Sequence, residues 1–209
     1  MRKVRSPNLL TKGKPGLDYE AIVVGGSAGG FNALQEILRP LPADFGLPIL
    51  VVLHRPPSPD ELLIYTLNES CQLLVKEADQ DELIEPGRVY IAPANYHLLV
   101  ERDRTLSLSI DAKVCYSRPS IDVLFETASD AYLAGLIGII LTGGNNDGTA
   151  GLRQIKKNGG LTIAQDPATA LSKLMPSSAI EENIVDRIVS LTELTSTLIQ
   201  FCTKGLLNE

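Results

Sequence analysis

Tryptophan is absent from the 209 residues, histidine occurs twice and cysteine three times. With aromatics at only 5%, a base-stacking platform for single-stranded nucleic acid has no support. The net charge is −6, which leaves no surplus of Lys or Arg to neutralise phosphates and argues against a general nucleic-acid binder. Cys71, Cys115 and Cys202 are far apart and odd in number, so neither a disulfide framework nor a zinc knuckle fits. Free thiols in a reducing, cytoplasmic setting are the expectation. No apolar run approaches the roughly 20 residues that span a bilayer, and the N-terminus lacks the apolar centre of a signal peptide. No grouping of His, Cys and carboxylates has ligand spacing, so no metal site is expected. Apolar residues at 44% and charged residues at 21% describe an ordinary soluble domain with a proper core.

The chain is organised around Glu20–Gly30, an apolar β-rich run that ends in a serine among four glycines. Gly25-x-Ser27-x-Gly29 has the spacing of a nucleophile elbow, where a strand turns sharply into a helix and lifts a hydroxyl above the sheet edge. Ser27 is therefore a candidate nucleophile, and a purely structural glycine-rich βα turn is the competing reading.

Before this stretch, residues 1–18 carry five basic residues, several Pro and Gly, and no acid before Asp18. They read as a flexible basic arm too short to hold a regulatory domain, leaving 19–209 as the folded domain. After it, strand and helix patterns alternate. Ala21–Val24 is followed by Phe31, Leu34, Ile37 and Leu38 at helical spacing, up to Pro40. Pro48–Leu53 is a continuous apolar run of the kind buried on both faces of a parallel sheet. Ser58-Pro59-Asp60-Glu61 has the form of a helix start. In the middle, Leu73–Val75, Val89–Ile91, Tyr96–Val100 and Leu106–Ile110 are short strands between turn signals, read as an antiparallel insertion on one edge. Alternation then resumes: a helix over Ser120–Tyr132, a strand at Leu136–Leu141, a helix to Lys157, a strand at Leu161–Ala164 and a final helix near Leu191–Phe201. The fold class is α/β, a doubly wound, mostly parallel sheet flanked by helices, with an antiparallel hairpin insertion near one edge.

Ligands of such sheets bind beyond the carboxyl ends of the strands. Ser27, His54 and Asp147 each follow a predicted strand. A hydroxyl, an imidazole and a carboxylate can act as nucleophile, base and orienting acid, and histidine is the side chain that changes charge near neutral pH. His97 lies inside the β insertion and reads as a strand or pocket-lining residue. Asp147, in Asn146-Asp147-Gly148, also suits a plain turn. Gly143-Gly144 and the amides after Ser27 can supply oxyanion donors, each of which is typically worth about 2.7–4 kcal/mol of barrier. The serine at position 27 breaks a dinucleotide fingerprint, and Phe31 breaks a P-loop. The order Ser27, His54, Asp147 differs from the Ser–acid–His order of ordinary α/β-hydrolases.

Seven ordered segments resemble the catalytic domain of the CheB-type chemotaxis-receptor methylesterases over about residues 20–200. They are Gly25–Gly30, Leu53–Pro57, Val89–Pro93 with His97, Arg118–Asp122, Leu141–Gly148, Ala164–Pro167, and Met175-Pro176 with Ala179-Ile180. The resemblance implies hydrolysis of glutamate methyl esters on cytoplasmic helices of chemoreceptors, with methanol released, and deamidation of glutamine as a companion activity. It implies Ser27 as nucleophile, His54 as base, Asp147 as orienting acid, and backbone donors at Ala28 and Gly144. No cofactor is implied. The implied partners are methylated receptors, with a methyltransferase or a separate response regulator as further candidates, and neither nucleic acid nor a membrane-embedded site. Four departures stand out: Gly144 and Asn145 replace a common Met-Gly pair, Ala28 replaces threonine, Arg55 replaces methionine, and no phospho-acceptor receiver domain precedes the domain. These departures motivate two alternatives, a docking module of the same fold that binds a receptor or methyltransferase, and a hydrolase of another ester or amide.

Overall fold

The computed structural model describes residues 19–55 and 61–203. The expected basic arm and the Ser58-Pro59-Asp60 helix start lie outside the described residues.

Strands β1 (Ala21–Gly26), β2 (Ile49–Leu53), β3 (Leu74–Glu77), β4 (Arg88–Ile91), β7 (Leu136–Ile140), β8 (Leu161–Gln165) and β9 (Arg187–Val189) form one sheet. Its order is β3-β4-β2-β1-β7-β8-β9, and every neighbouring pair is parallel. β5 (His97–Val100) and β6 (Leu106–Ser109) make a separate antiparallel hairpin. The expected antiparallel insertion is therefore half as large as its sequence suggested. The strands around Val75 and Val89 pair in parallel inside the main sheet, because the chain between them crosses over instead of turning back. Short strands look alike in sequence whichever way they pair.

The helices are α1 (Gly30–Leu38), α2 (Glu61–Ser70), α3 (Ile121–Tyr132), α4 (Thr149–Lys157), α5 (Leu174–Glu181) and α6 (Leu191–Thr203). Alternating residues of each central strand feed two apolar layers. Ile22, Val24, Val51 and Ile139 pack with Leu34, Leu38, Leu67 and Leu198 of α1, α2 and α6. Ala21, Val23, Val52 and Ile140 pack with Leu124, Phe125, Leu152 and Met175 of α3, α4 and α5. Both faces of the sheet are thus covered, which is why its strands read as unbroken apolar runs. α1 ends before Pro40, and β1 runs two residues further than its apolar stretch.

The chain leaves β1 toward β2 on one side and returns to β7 on the other. The order reverses between β1 and β7, and their carboxyl ends open the crevice in which doubly wound sheets bind ligands.

Candidate active site

Three neighbouring strands, β2, β1 and β7, deliver the three residues singled out by the sequence. The ladder continues past the strand ends: His54 N donates to Gly26 O at 3.0 Å, and Ser27 N to Thr142 O at 2.9 Å. Ser27 and His54 line one cavity of about 260 Å3, together with Phe31, Leu53, Arg55 and Leu63. His54 Nε2 meets Asp147 Oδ2 at 2.8 Å. The ring's other nitrogen, Nδ1, has Ser117 Oγ at 3.5 Å. A donor at Nε2 facing the carboxylate leaves the Nδ1 lone pair free to take a proton.

The turn after β1 differs from the strained elbow of the common hydrolases. Its left-handed residue is Gly29, with φ of +79°, and Ser27 is not among the positive-φ residues. A side chain at Gly29 would also press on Leu171, and one at Gly25 would strike Ile121 Cγ2 at 2.3 Å. The glycines thus serve a left-handed turn and the close approach of α3.

That approach builds the acid. Asp147 is fully buried and sits across the N-terminus of α3. Oδ2 accepts from Ile121 N at 2.8 Å as well as from His54. Oδ1 accepts from Ser120 Oγ at 2.9 Å and Asp122 N at 3.0 Å. Burial pushes this carboxyl up, but the His54 hydrogen bond and the two amides outweigh it and hold the group below its ordinary value. The helix N-terminus favours the same charged form. Asp122, the second residue of α3, caps α4 by accepting from Gly151 N at 2.8 Å. Its carboxyl is pushed up to about 6 by burial, with the Asp147 charge adding to the rise. Two adjacent carboxyls are therefore driven in opposite directions, and the one against His54 keeps its charge.

His97 takes a supporting place. It is buried on β5, Nδ1 accepts from Ser120 N at 3.2 Å, and Nε2 lies 3.1 Å from Ala112 O. It thereby steadies the serine that bonds Asp147. Ser117 and Ser120 escaped sequence reasoning as site residues. For Ser120 a signal existed, a helix-start serine followed two residues later by Asp122; for Ser117 no local signal marks it.

Beside the turn after β1, Thr142 ties the loop after β7 to the residues after Ser27. Its Oγ1 donates to Ala28 O at 2.8 Å and accepts from Ser172 N at 2.8 Å. Gly143 N donates to Ser172 O, and Gly143 O accepts from Met175 N, both at 3.0 Å. Gly144 then turns outward and is exposed. Cys115, Asp122 and Asp147 lie close enough to suggest a cation site. The two carboxylates accept from helix amides, Ser120 and His54, and Cys115 Sγ faces Asp122 Oδ2 at 3.9 Å, so each of the three has a partner within the protein.

A family model described as CheB methylesterase matches residues 22–198. The crystal structure of the Thermotoga maritima CheB methylesterase catalytic domain superposes with a TM-score of 0.84 at 35% identity, covering 88% of this chain and 99% of that one. A Leptospira interrogans protein, provisionally named protein-glutamate methylesterase/protein-glutamine glutaminase, is 52% identical over 88% of this chain and 95% of its own length. The Halalkalibacterium halodurans protein-glutamate methylesterase/protein-glutamine glutaminase is 39% identical over 88% of this chain, which spans 54% of that relative's length. With its strand order, its site at the β1/β7 crevice and these matches, the chain belongs to the CheB methylesterase family.

Proposed function

We propose that this protein is a protein-glutamate methylesterase that hydrolyses glutamate methyl esters on cytoplasmic helices of chemoreceptors, and deamidates glutamine by the same chemistry. The observation that carries this reading is the His54–Asp147 hydrogen bond at the wall of the cavity that Ser27 also lines. The printed names of the Leptospira and Halalkalibacterium relatives support both activities. Among the described residues no helix is long and apolar enough to cross a membrane, which is consistent with work on a receptor's cytoplasmic part.

In this mechanism Ser27 Oγ attacks the ester carbonyl while its proton passes to His54 Nδ1. Asp147 holds the ring through Nε2–H and stabilises the imidazolium that forms. The backbone amides of Ala28 and Gly144 stabilise the oxyanion. Collapse of the tetrahedral intermediate breaks the C–O bond to methoxide, which leaves as methanol with the His54 proton. Water then repeats the sequence on the acyl-serine, His54 again takes the proton, and glutamate and free Ser27 are restored. A glutamine side chain follows the same path and loses ammonia.

The test is methanol release from a methylated receptor cytoplasmic fragment, wild type against Ser27→Ala. The expected loss is at least about 10³-fold. Equal release by both proteins would remove Ser27 from the chemistry. Tight receptor binding without release by the wild type would favour the docking module instead.

A further inference from the structure

Two cavities share a wall made of His54 and Arg55, and they differ in chemistry. The first, described above, has Phe31, Leu53 and Leu63 as its other wall. The second, of about 120 Å3, is lined with Asn95, Lys113, Ser117 and Arg118. In a chain of net charge −6, three cationic side chains gather beside the imidazole.

Their states are unequal. Arg118 is fully engaged, with Nε and Nη2 donating to Asn95 Oδ1 and Nη1 to the Ile110 and Asp111 carbonyls. Lys113 is exposed. Arg55 has a side chain only 8% exposed. Its Nη2 donates to Glu77 Oε1 and to Ala92 O at 3.2 Å, while Nε and Nη1 are buried with no partner among the described residues. A buried guanidinium with donors unmade is costly, and such an arrangement calls for an explanation. Glu77, its one counter-charge among the described residues, is 43% exposed and can be returned to water cheaply, whereas Arg55 must stay paired where it is. Carboxylate is the group that a guanidinium fork matches in shape and charge.

We propose that Arg55 is a specificity-determining residue that binds a carboxylate side chain of the substrate polypeptide, close in space to the ester-bearing glutamate. The apolar cavity takes the neutral ester group and the cationic cavity takes its acidic neighbour, with His54 between them. The catalytic part of this assignment rests on the proposed function; the binding part does not.

The probes are capped helical peptides with norleucine, neutral and unreactive, at the ester position. Glutamate or glutamine stands one, three or four residues away, the spacings that share a helix face or adjoin it. Affinities are measured by calorimetry for wild type, Arg55→Met, Arg55→Lys and Glu77→Gln, with thermal melting as a check on folding. In the wild type the best glutamate peptide binds about tenfold tighter than its glutamine twin, the size of one charge-assisted hydrogen bond. Arg55→Met brings that ratio to about one, and Arg55→Lys leaves it intermediate because lysine has no fork. Glu77→Gln raises it by removing the competitor, and this variant stands in should Arg55→Met fail to fold. A wild-type ratio of one at every spacing, or a ratio that survives loss of Arg55 or is unmoved by Glu77→Gln, overturns the proposal. Binding needs no turnover, so absence of Ser27-dependent methanol release would defeat the proposed activity without touching this result.

Discussion

The two ends of the loop after β7 are built on different plans. At the far end Asp147 accepts four hydrogen bonds, from His54, Ser120, Ile121 and Asp122, and is buried under the start of α3. At its near end the same loop is anchored through Thr142 and Gly143 and then turns outward at the exposed Gly144. The acid is part of how α3 packs on the sheet, so it cannot change without disturbing the fold. At the outward turn Gly144 is exposed, and a Cβ there would meet only Ser172 Oγ at 3.8 Å. The two positions at which this loop departs from the common family pattern, Gly144 and Asn145, fall at this outward turn, where Asn145 Oδ1 still accepts from Asp147 N at 3.3 Å.

Four substitutions probe this contrast. The largest effect is expected from Asp147→Asn, which removes the charge on which two amides, a hydroxyl and the imidazole converge. Methanol release should fall about 10⁴-fold, and urea unfolding should show a loss of about 3 kcal/mol. Intact stability would show that α3 does not depend on the carboxylate. Next, Gly143→Ala places a Cβ 2.5 Å from Met175 Sδ and Cε, where the thioether must shift within a packed layer. About 1–2 kcal/mol of stability should be lost, with a smaller loss of rate.

Asp122 sharpens the comparison within the acid side, because its carboxyl is raised from an ordinary 3.8 to about 6. The folded state then binds more protons than the unfolded chain between those values. Its contribution is fully present below about 3.8 and is lost as pH rises through about 6, by roughly 2–3 kcal/mol. Asp147 has the opposite sign: its contribution is present above 3.8 and is lost as pH falls through its depressed folded value. Stability curves of wild type and Asp122→Asn should therefore diverge between pH 4 and 7, with the variant gaining relative to wild type as pH rises. Parallel curves would show that Asp122 is not protonated in the folded state.

The smallest stability change is expected on the loop side. Gly144 has no positive φ, and a Cβ there would meet only Ser172 Oγ at 3.8 Å. Gly144→Ala should stabilise by about 0.5 kcal/mol through the unfolded state while changing methanol release a few-fold. A loss above 2 kcal/mol would mean that the outward loop is as constrained as the acid.

Much of this arrangement was legible locally. Ala21–Gly26, Ile49–Leu53 and Leu136–Ile140 announce buried parallel strands through unbroken apolar runs, and each is followed by the glycine-rich or polar residues that line the crevice. The strands at Leu74–Glu77 and Arg88–Ile91 were misassigned to an antiparallel insertion, because four-residue strands carry no mark of their pairing direction. α5 went unread, since Pro176 sits inside it and its apolar residues lack clear helical spacing.

What the sequence determined by itself is the alternation of strand and helix, the glycine-lined turn at Ser27, and the placing of His54 and Asp147 just past strand ends. These follow from periodicity and turn chemistry, which act between near neighbours in the chain. Tertiary structure alone decided that β1 lies between β2 and β7, and so that His54 and Asp147, 93 positions apart, share a hydrogen bond. It also decided that Asp147 closes the N-terminus of α3, and that Arg55 is buried beside the site with two nitrogens unpartnered among the described residues. Burial and long-range pairing are properties of the packed sheet and its helices, and no stretch of residues short enough to show a pattern contains them.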